Sequence, residues 1–295
     1  MIATGQYAEL GNGIRLHYAS CGERGRPLMI FLHGFPEYWG AWEELLPCFG
    51  GTHYAVAPDL RGFNLSSQPT EVSAYRAREI VGDLDRFLAH LGEDRAVVVA
   101  HDWGGAVAWQ WAIAKPERIE KLIVLNSPHP IPFARELVSN PVQQQASAYM
   151  NWLRKPGSED ALARDGYRRL DDFFLQMQRP DAPWYTTGRA AKYHAVWDRG
   201  LTGGVNYYRA SPLYPPMPDD PGPAALRLKP EDFRVRVPTL VIWGEADIAL
   251  PVTLLEGLDE LVDELRVCRL PNATHWVAHE EPEEVARLIR AFTAR

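Results

Sequence analysis

Short apolar runs rich in β-branched residues alternate along this chain with helix-like stretches, and this rhythm constrains the fold more than any other feature. Leu28-Met-Ile-Phe-Leu32, Tyr54-Ala-Val-Ala57, Ala96-Val-Val-Val-Ala100, Lys121-Leu-Ile-Val-Leu125, Thr239-Leu-Val-Ile-Trp243 and Leu265-Arg-Val-Cys-Arg-Leu270 read as buried parallel strands. Between them, Ile80, Leu84, Phe87, Leu88 and Leu91 fall on one helical face, and Val285, Leu288, Ile289 and Phe292 repeat that spacing near the carboxyl end. Alternation of this kind implies α/β layers around a mostly parallel sheet. Gly11-Asn-Gly13 begins like a dinucleotide fingerprint but lacks the third glycine and the strand-to-helix junction, so it reads as a tight turn.

The rhythm stops after Asn126 and resumes near Val237. The intervening stretch is helix-like, aromatic and proline-punctuated, which marks an insertion. Its last part, Ser211 to Pro223, is too rich in proline for regular structure and reads as a return linker. The expected organisation is a first core part over 1–130, a helical cap over 131–214, and the linker with the second core part over 215–295.

Composition closes off other classes. A chain of 295 residues with 46% hydrophobic and 23% charged residues suits a packed domain rather than a disordered segment. The net charge of −7 and the lack of a basic run make nucleic acid and anionic membranes poor partners. Cys21, Cys48 and Cys268 are too few and too scattered for a disulfide framework or a metal cluster. With no secretory leader and no membrane span in view, the expected location is the cytoplasm, without metal or organic cofactor. The sequence says nothing of oligomeric state.

The chemistry concentrates after the apolar runs. Ala100-His-Asp-Trp-Gly-Gly105 joins a strand to a helix in the form of a nucleophile elbow, which strains its central residue, Asp102, and requires small residues two before and two after it. A plain helix cap is the competing use of Asp102. His33-Gly-Phe-Pro-Glu37 follows the first of these strands, where an oxyanion loop belongs, Asp247 follows the fifth and His275 the sixth. Nucleophile, acid and histidine thus occur in the chain order of a hydrolase, all at one edge of a parallel sheet. Taken singly, Asp247 also suits a turn and His275 a surface position; His279 is a rival base, although Glu280, Glu281 and Pro282 mark it as a helix-start residue. His33 and His101 suit loop-holding roles.

An aspartate at the elbow has a chemical meaning of its own. A serine attacking a saturated carbon leaves an ether that water does not readily cleave, whereas a carboxylate leaves an ester whose carbonyl activated water can hydrolyse. Asp102 therefore points to substrates with an electrophilic sp³ carbon. In this reading His275 activates the water, Asp247 orients it, and the backbone N–H groups of Phe35 and Trp103 form the oxyanion hole.

Nearly the whole chain resembles the α/β-hydrolase superfamily, and within it the soluble epoxide hydrolases. The pieces that carry the resemblance are His33-Gly-Phe-Pro-Glu37, Asp59-Leu-Arg-Gly62, His101-Asp-Trp-Gly-Gly105, Asn126-Ser-Pro-His-Pro130, Asn206-Tyr-Tyr-Arg209 and Thr274-His-Trp276. It implies an α/β-hydrolase fold with helices on both faces of the sheet and a helical cap inserted after the sixth strand. It also implies a pair of cap tyrosines that protonate the opened epoxide oxygen, which match Tyr149 and Tyr208 here; Tyr207 and Tyr193 are alternates. The implied reaction converts a small hydrophobic epoxide and water to a vicinal diol, with Trp39, Trp152 and Phe173 expected to line the pocket beside Phe35 and Trp103. Haloalkane and haloacetate dehalogenases share the Asp-His-Asp set and form the runner-up. They fit less well: no arginine follows Asp102 to hold a substrate carboxylate, and Phe35 stands where a haloalkane enzyme often places Asn. A third reading is a non-catalytic binding protein on a hydrolase fold.

Overall fold

The structure, a computed structural model, describes residues 1–294. In chain order its elements are β1 (Ala3–Glu9), β2 (Arg15–Cys21), β3 (Leu28–Leu32), α1 (Leu46–Phe49), β4 (Tyr54–Pro58), α2 (Ala77–Leu91), β5 (Ala96–His101), α3 (Asp102–Ala114) and β6 (Ile119–Leu125). Helices α4 (Pro130–Ser139), α5 (Pro141–Ala146), α6 (Ala148–Leu153), α7 (Ser158–Met177), α8 (Thr187–Trp197) and α9 (Thr202–Ala210) follow, then β7 (Thr239–Gly244), β8 (Leu265–Leu270), α10 (Val277–Glu280) and α11 (Pro282–Thr293).

The strands form one eight-stranded sheet in the order β1-β2-β4-β3-β5-β6-β7-β8. Pairing is parallel from β4 through β8, while β1 and β2 form an antiparallel hairpin joined antiparallel to β4. The hairpin turn holds Gly11 and Gly13 at positive φ, as the tight-turn reading expects. Period-two alternation sorts the side chains: Leu28, Ile30 and Leu32 of β3 join the layer under α2 and α3, whereas Met29 and Phe31 join that under α1 and α11. Each fully buried side chain of this kind contributes about 1.5–3 kcal/mol over its exposed state, so the pattern fixes the register. One strand departs from its sequence reading. β8 is half-exposed rather than buried, with Val267 at 38%, because it forms the sheet edge and pairs only with β7.

The chain leaves the sheet after β6 and returns at β7, and the helices between them lie over the carboxyl ends of the strands. Helix α7 breaks at Arg164–Tyr167, where Asp165, Gly166 and Tyr167 all take positive φ. The second half of α7 carries Phe174, which is fully buried and packs 4.7 Å from Trp276, next to His275. Helix α9 touches the core by backbone: a Cβ on Gly203 would lie 2.3 Å from the Gly62 carbonyl oxygen. No described helix is long and apolar enough to cross a membrane.

Candidate active site

Strand β3 moves to one side of the sheet's midline and β5 to the other, so a crevice opens at their carboxyl ends. Asp102 stands there at φ +49, between extended His101 and helix α3. A side chain held in this region costs on the order of 1–3 kcal/mol and persists only when its surroundings enforce it. Gly104 shows the enforcement: a Cβ at that position would come within 2.3 Å of the Leu32 carbonyl oxygen, so the turn closes only with glycine. The carboxylate does not cap its own helix. Its Oδ1 accepts instead from the Phe35 N–H at 2.8 Å, while Oδ2 faces His275 Nε2 at 3.7 Å. The Trp103 N–H makes no hydrogen bond to the carboxylate among the described residues.

Asp247 is fully buried and saturated with donors. It accepts from His275 Nδ1 at 2.7 Å, Asn126 Nδ2 at 2.8 Å, and the Ala249 and Leu250 N–H groups at 2.8 and 3.0 Å. Asn126 also accepts from the Gly244 N–H at 2.8 Å, and it holds φ +35 at the end of β6. Burial by itself lowers the His275 pKa, but the charge of Asp247, its hydrogen bond, and the charges of Asp102 and Glu37 outweigh this and raise it to about 9. The imidazole is therefore protonated at neutral pH.

A second buried polar cluster braces this one. Glu37 accepts from the Tyr193 hydroxyl and His279 Nε2, both at 2.7 Å, and lies 3.4 Å from His101 Nδ1. Burial raises the Glu37 pKa, yet His279 and His101 hold it well below the usual carboxylate range. His101 Nε2 in turn donates to the His275 carbonyl oxygen at 2.9 Å. His33 accepts from the Leu60 N–H at 3.0 Å and pairs with the Gly34 carbonyl, a loop-holding arrangement. His279 is thus committed to Glu37, with its ring stacked 3.9 Å from Trp184, and does not face Asp102.

Above Asp102 a cavity of about 300 Å³ is lined by Asp102, Trp103, Tyr149 and Tyr208 at one end. Tyr208 packs edge-to-face against Phe35 at 5.4 Å and Trp103 at 4.9 Å, and lies 6.0 Å from Tyr149. Burial raises both tyrosine pKa values and the Asp102 charge adds to it, so both hydroxyls stay protonated. The alternates are spent elsewhere: Tyr207 donates to the Arg61 carbonyl and Tyr193 to Glu37.

Of the aromatic residues expected in the pocket, Trp103 lines the cavity, whereas Phe35, Trp39, Trp152 and Phe173 do not. Trp39 donates its N–H to Asp59 and packs on Tyr38, Trp152 lies under the Arg169 guanidinium, and Phe173 packs behind Tyr149 against Trp276. Of these, the Phe173 ring closes the seam between cap and core through Trp276. The wall is supplied by residues that the sequence reading passed over: Val107 and Gln110 on α3, Phe133 on α4, and Leu213, Leu226, Leu228 and Phe233 from the irregular return segment. That segment is fastened to α6, since Asn151 donates to the Pro215 carbonyl and Arg154 lies over the Tyr214 ring.

An eight-stranded, mostly parallel sheet with a strained strand-to-helix turn beneath an Asp-paired histidine defines an α/β-hydrolase fold. The family model described as alpha/beta hydrolase fold matches residues 27–282. Epoxide hydrolase 4 of Mus musculus is 33% identical over 95% of this chain and 77% of its own length, and an AB hydrolase superfamily protein of Bacillus subtilis is 33% identical over 95% of both. An epoxide hydrolase of Bacillus megaterium solved with an inhibitor superposes with a TM-score of 0.87 at 32% identity, covering 98% of this chain and all of that one. The chain belongs to the α/β-hydrolase family, in its epoxide hydrolase branch.

Proposed function

We propose that this hydrolase opens an epoxide to a vicinal diol in two steps through an ester on Asp102. The observation that carries this reading is a carboxylate at the elbow with one oxygen bonded to Phe35 and the other open, sharing a cavity with two protonated tyrosines. In the first step Asp102 Oδ2 attacks an epoxide carbon, the ring C–O bond breaks, and Tyr149 and Tyr208 hydrogen-bond the departing oxygen and supply its proton. In the second, His275 takes a proton from water, and hydroxide adds to the ester carbonyl carbon. The oxyanion forms on Oδ1 at the Phe35 N–H, and its collapse breaks the Cγ–Oδ2 bond and releases the diol, whose oxygen takes back the proton from His275.

The histidine pKa supports this order. Against burial, Asp247 does most to raise the His275 pKa and the Asp102 charge adds to it; esterification removes the Asp102 charge, which lowers the pKa and makes the imidazole a better base when one is required. Asp247, with four donors already on it, orients the ring. Residues 131–214 act as the lid that brings the tyrosines over Asp102.

The test is a single turnover in ¹⁸O-labelled water with excess enzyme and styrene oxide. Attack of water on the ester carbonyl puts the label into the peptide containing Asp102 and leaves the first diol unlabelled. Label appearing directly in the first diol would refute the covalent route, and no diol at all, with Asp102-dependent halide release from haloalkanes or haloacetates, would assign the site to dehalogenation.

A further inference from the structure

From Trp103 to Ala114, α3 carries no hydrophilic residue except Gln110. Trp103, Ala106, Val107 and Gln110 follow the i, i+3, i+4, i+7 spacing of one helical stripe, and all four line the cavity. Gln110 lies eight residues beyond Asp102, about 12 Å along the axis at 1.5 Å per residue. The cavity therefore runs along α3 with Asp102 at one end and a carboxamide toward the other.

The polar lining sorts into two groups. The Tyr75 hydroxyl donates to the Pro69 carbonyl, Tyr207 to Arg61, Ser127 to Asp102 and Ser211 to Leu213, so these side chains already have partners. What remains is Asp102 with its two tyrosines, and Gln110, which hydrogen-bonds no other described residue, is half-buried, and shares the cavity lining with Leu213, Leu226 and Leu228. A carboxamide carries two donors and an acceptor, and a matching ligand group can take the place of the water that otherwise pairs them in this half-buried wall. The lining contains no lysine, arginine or histidine among the described residues, so nothing there favours an anionic arm.

We propose that Gln110 determines specificity for the far end of the substrate. The substrate class is an epoxide with one apolar arm that ends, about two helical turns along α3 from Asp102, in an uncharged hydrogen-bonding group such as an amide or ester. The inference rests on the epoxide reading of Asp102 and adds the arm to it.

Two terminal epoxides of equal arm length test it, one with an alkyl arm and one with an amide at that distance, assayed on wild type and Gln110→Leu. The expected result is that the variant loses about ten- to a hundredfold in kcat/KM on the amide substrate, chiefly through KM, and none on the alkyl one. Equal losses on both substrates, or an unchanged preference, would overturn the proposal by reducing Gln110 to a wall residue. Calorimetric binding of the two product diols gives the same comparison without turnover. Diol from neither epoxide with the wild type overturns the underlying epoxide reading, and that result is distinct from a lost preference.

Discussion

Replacing Asp102 with Asn removes one charge while keeping the shape of the side chain, and the structure gives the size of the effect on His275. The imidazole Nε2 lies 3.7 Å from Asp102 Oδ2. Unit charges at that separation interact by about 4–5 kcal/mol at an effective dielectric near 20. This corresponds to about 3 pKa units at 1.36 kcal/mol each, an upper bound because Asp102 opens onto the cavity and water screens part of the field. The His275 pKa should therefore fall from about 9 by roughly 1.5–3 units in Asp102→Asn. NMR titration of ¹⁵N-labelled histidines, with His275→Gln to assign the resonance, measures it. A His275 pKa within about half a unit of wild type would refute the reasoning, since in the proposed mechanism the same loss of charge on esterification frees the base. In single-turnover kinetics, ester hydrolysis should rise with pH through the midpoint found for the Asp102→Asn variant rather than through that of the free enzyme.

Other perturbations follow from the same geometry. Tyr149→Phe and Tyr208→Phe should each lower the alkylation rate about ten- to a hundredfold and together abolish it; full activity in both single variants would mean that the leaving oxygen takes its proton elsewhere. Gly203→Ala puts a methyl 2.3 Å from the Gly62 carbonyl oxygen, so α9 must lift and carry Tyr208 with it; rate should fall far more than thermal stability, and unchanged kinetics would show the seam to be compliant. Asn126→Ala strips a donor from Asp247 and an acceptor from the Gly244 N–H, at a cost of about 2–4 kcal/mol; a loss under about 1 kcal/mol in urea unfolding would mean that Asp247 is seated without it. Because the folded His275 pKa lies above the ordinary value, its contribution to stability is complete below about pH 6.5 and disappears as pH rises through about 9. Unfolding free energy should decline across that window, and His275→Gln should flatten the slope.

The parts of the site visible in the sequence are those whose requirements are local. A strained turn needs glycine two residues on, so Asp102 and Gly104 betray the elbow, and parallel strands deliver Asp247 and His275 to the same edge whatever fills the rest of the chain. The cavity wall has no such requirement. It is assembled from α3, α4, α6, α9 and an irregular segment far apart in sequence, and no periodicity links Leu213 or Phe233 to Asp102. Trp39, Trp152 and Phe173 illustrate the converse: an aromatic side chain announces burial but not which surface it is buried against. Gln110 left a usable trace, a single hydrophilic position in a thirteen-residue helix that is otherwise apolar after Asp102. β8 also left a trace, since Arg266 and Arg269 among its six residues suit a half-exposed edge strand rather than a buried one.

The reacting groups and the wall that receives the rest of the substrate are built from different kinds of chain. Asp102, Asp247 and His275 hang from strand ends locked in a common register, and shifting any of them disturbs the whole sheet. Leu213, Leu226 and Leu228 sit on a proline-rich stretch that belongs to no strand or α-helix and is held by hydrogen bonds from Asn151, Arg154 and His129. Substrate range can therefore drift by substitutions and length changes between residues 211 and 233 while the chemistry stays fixed. A library confined to that stretch should yield folded enzymes with altered preferences at a far higher rate than an equal library spread over the strand ends.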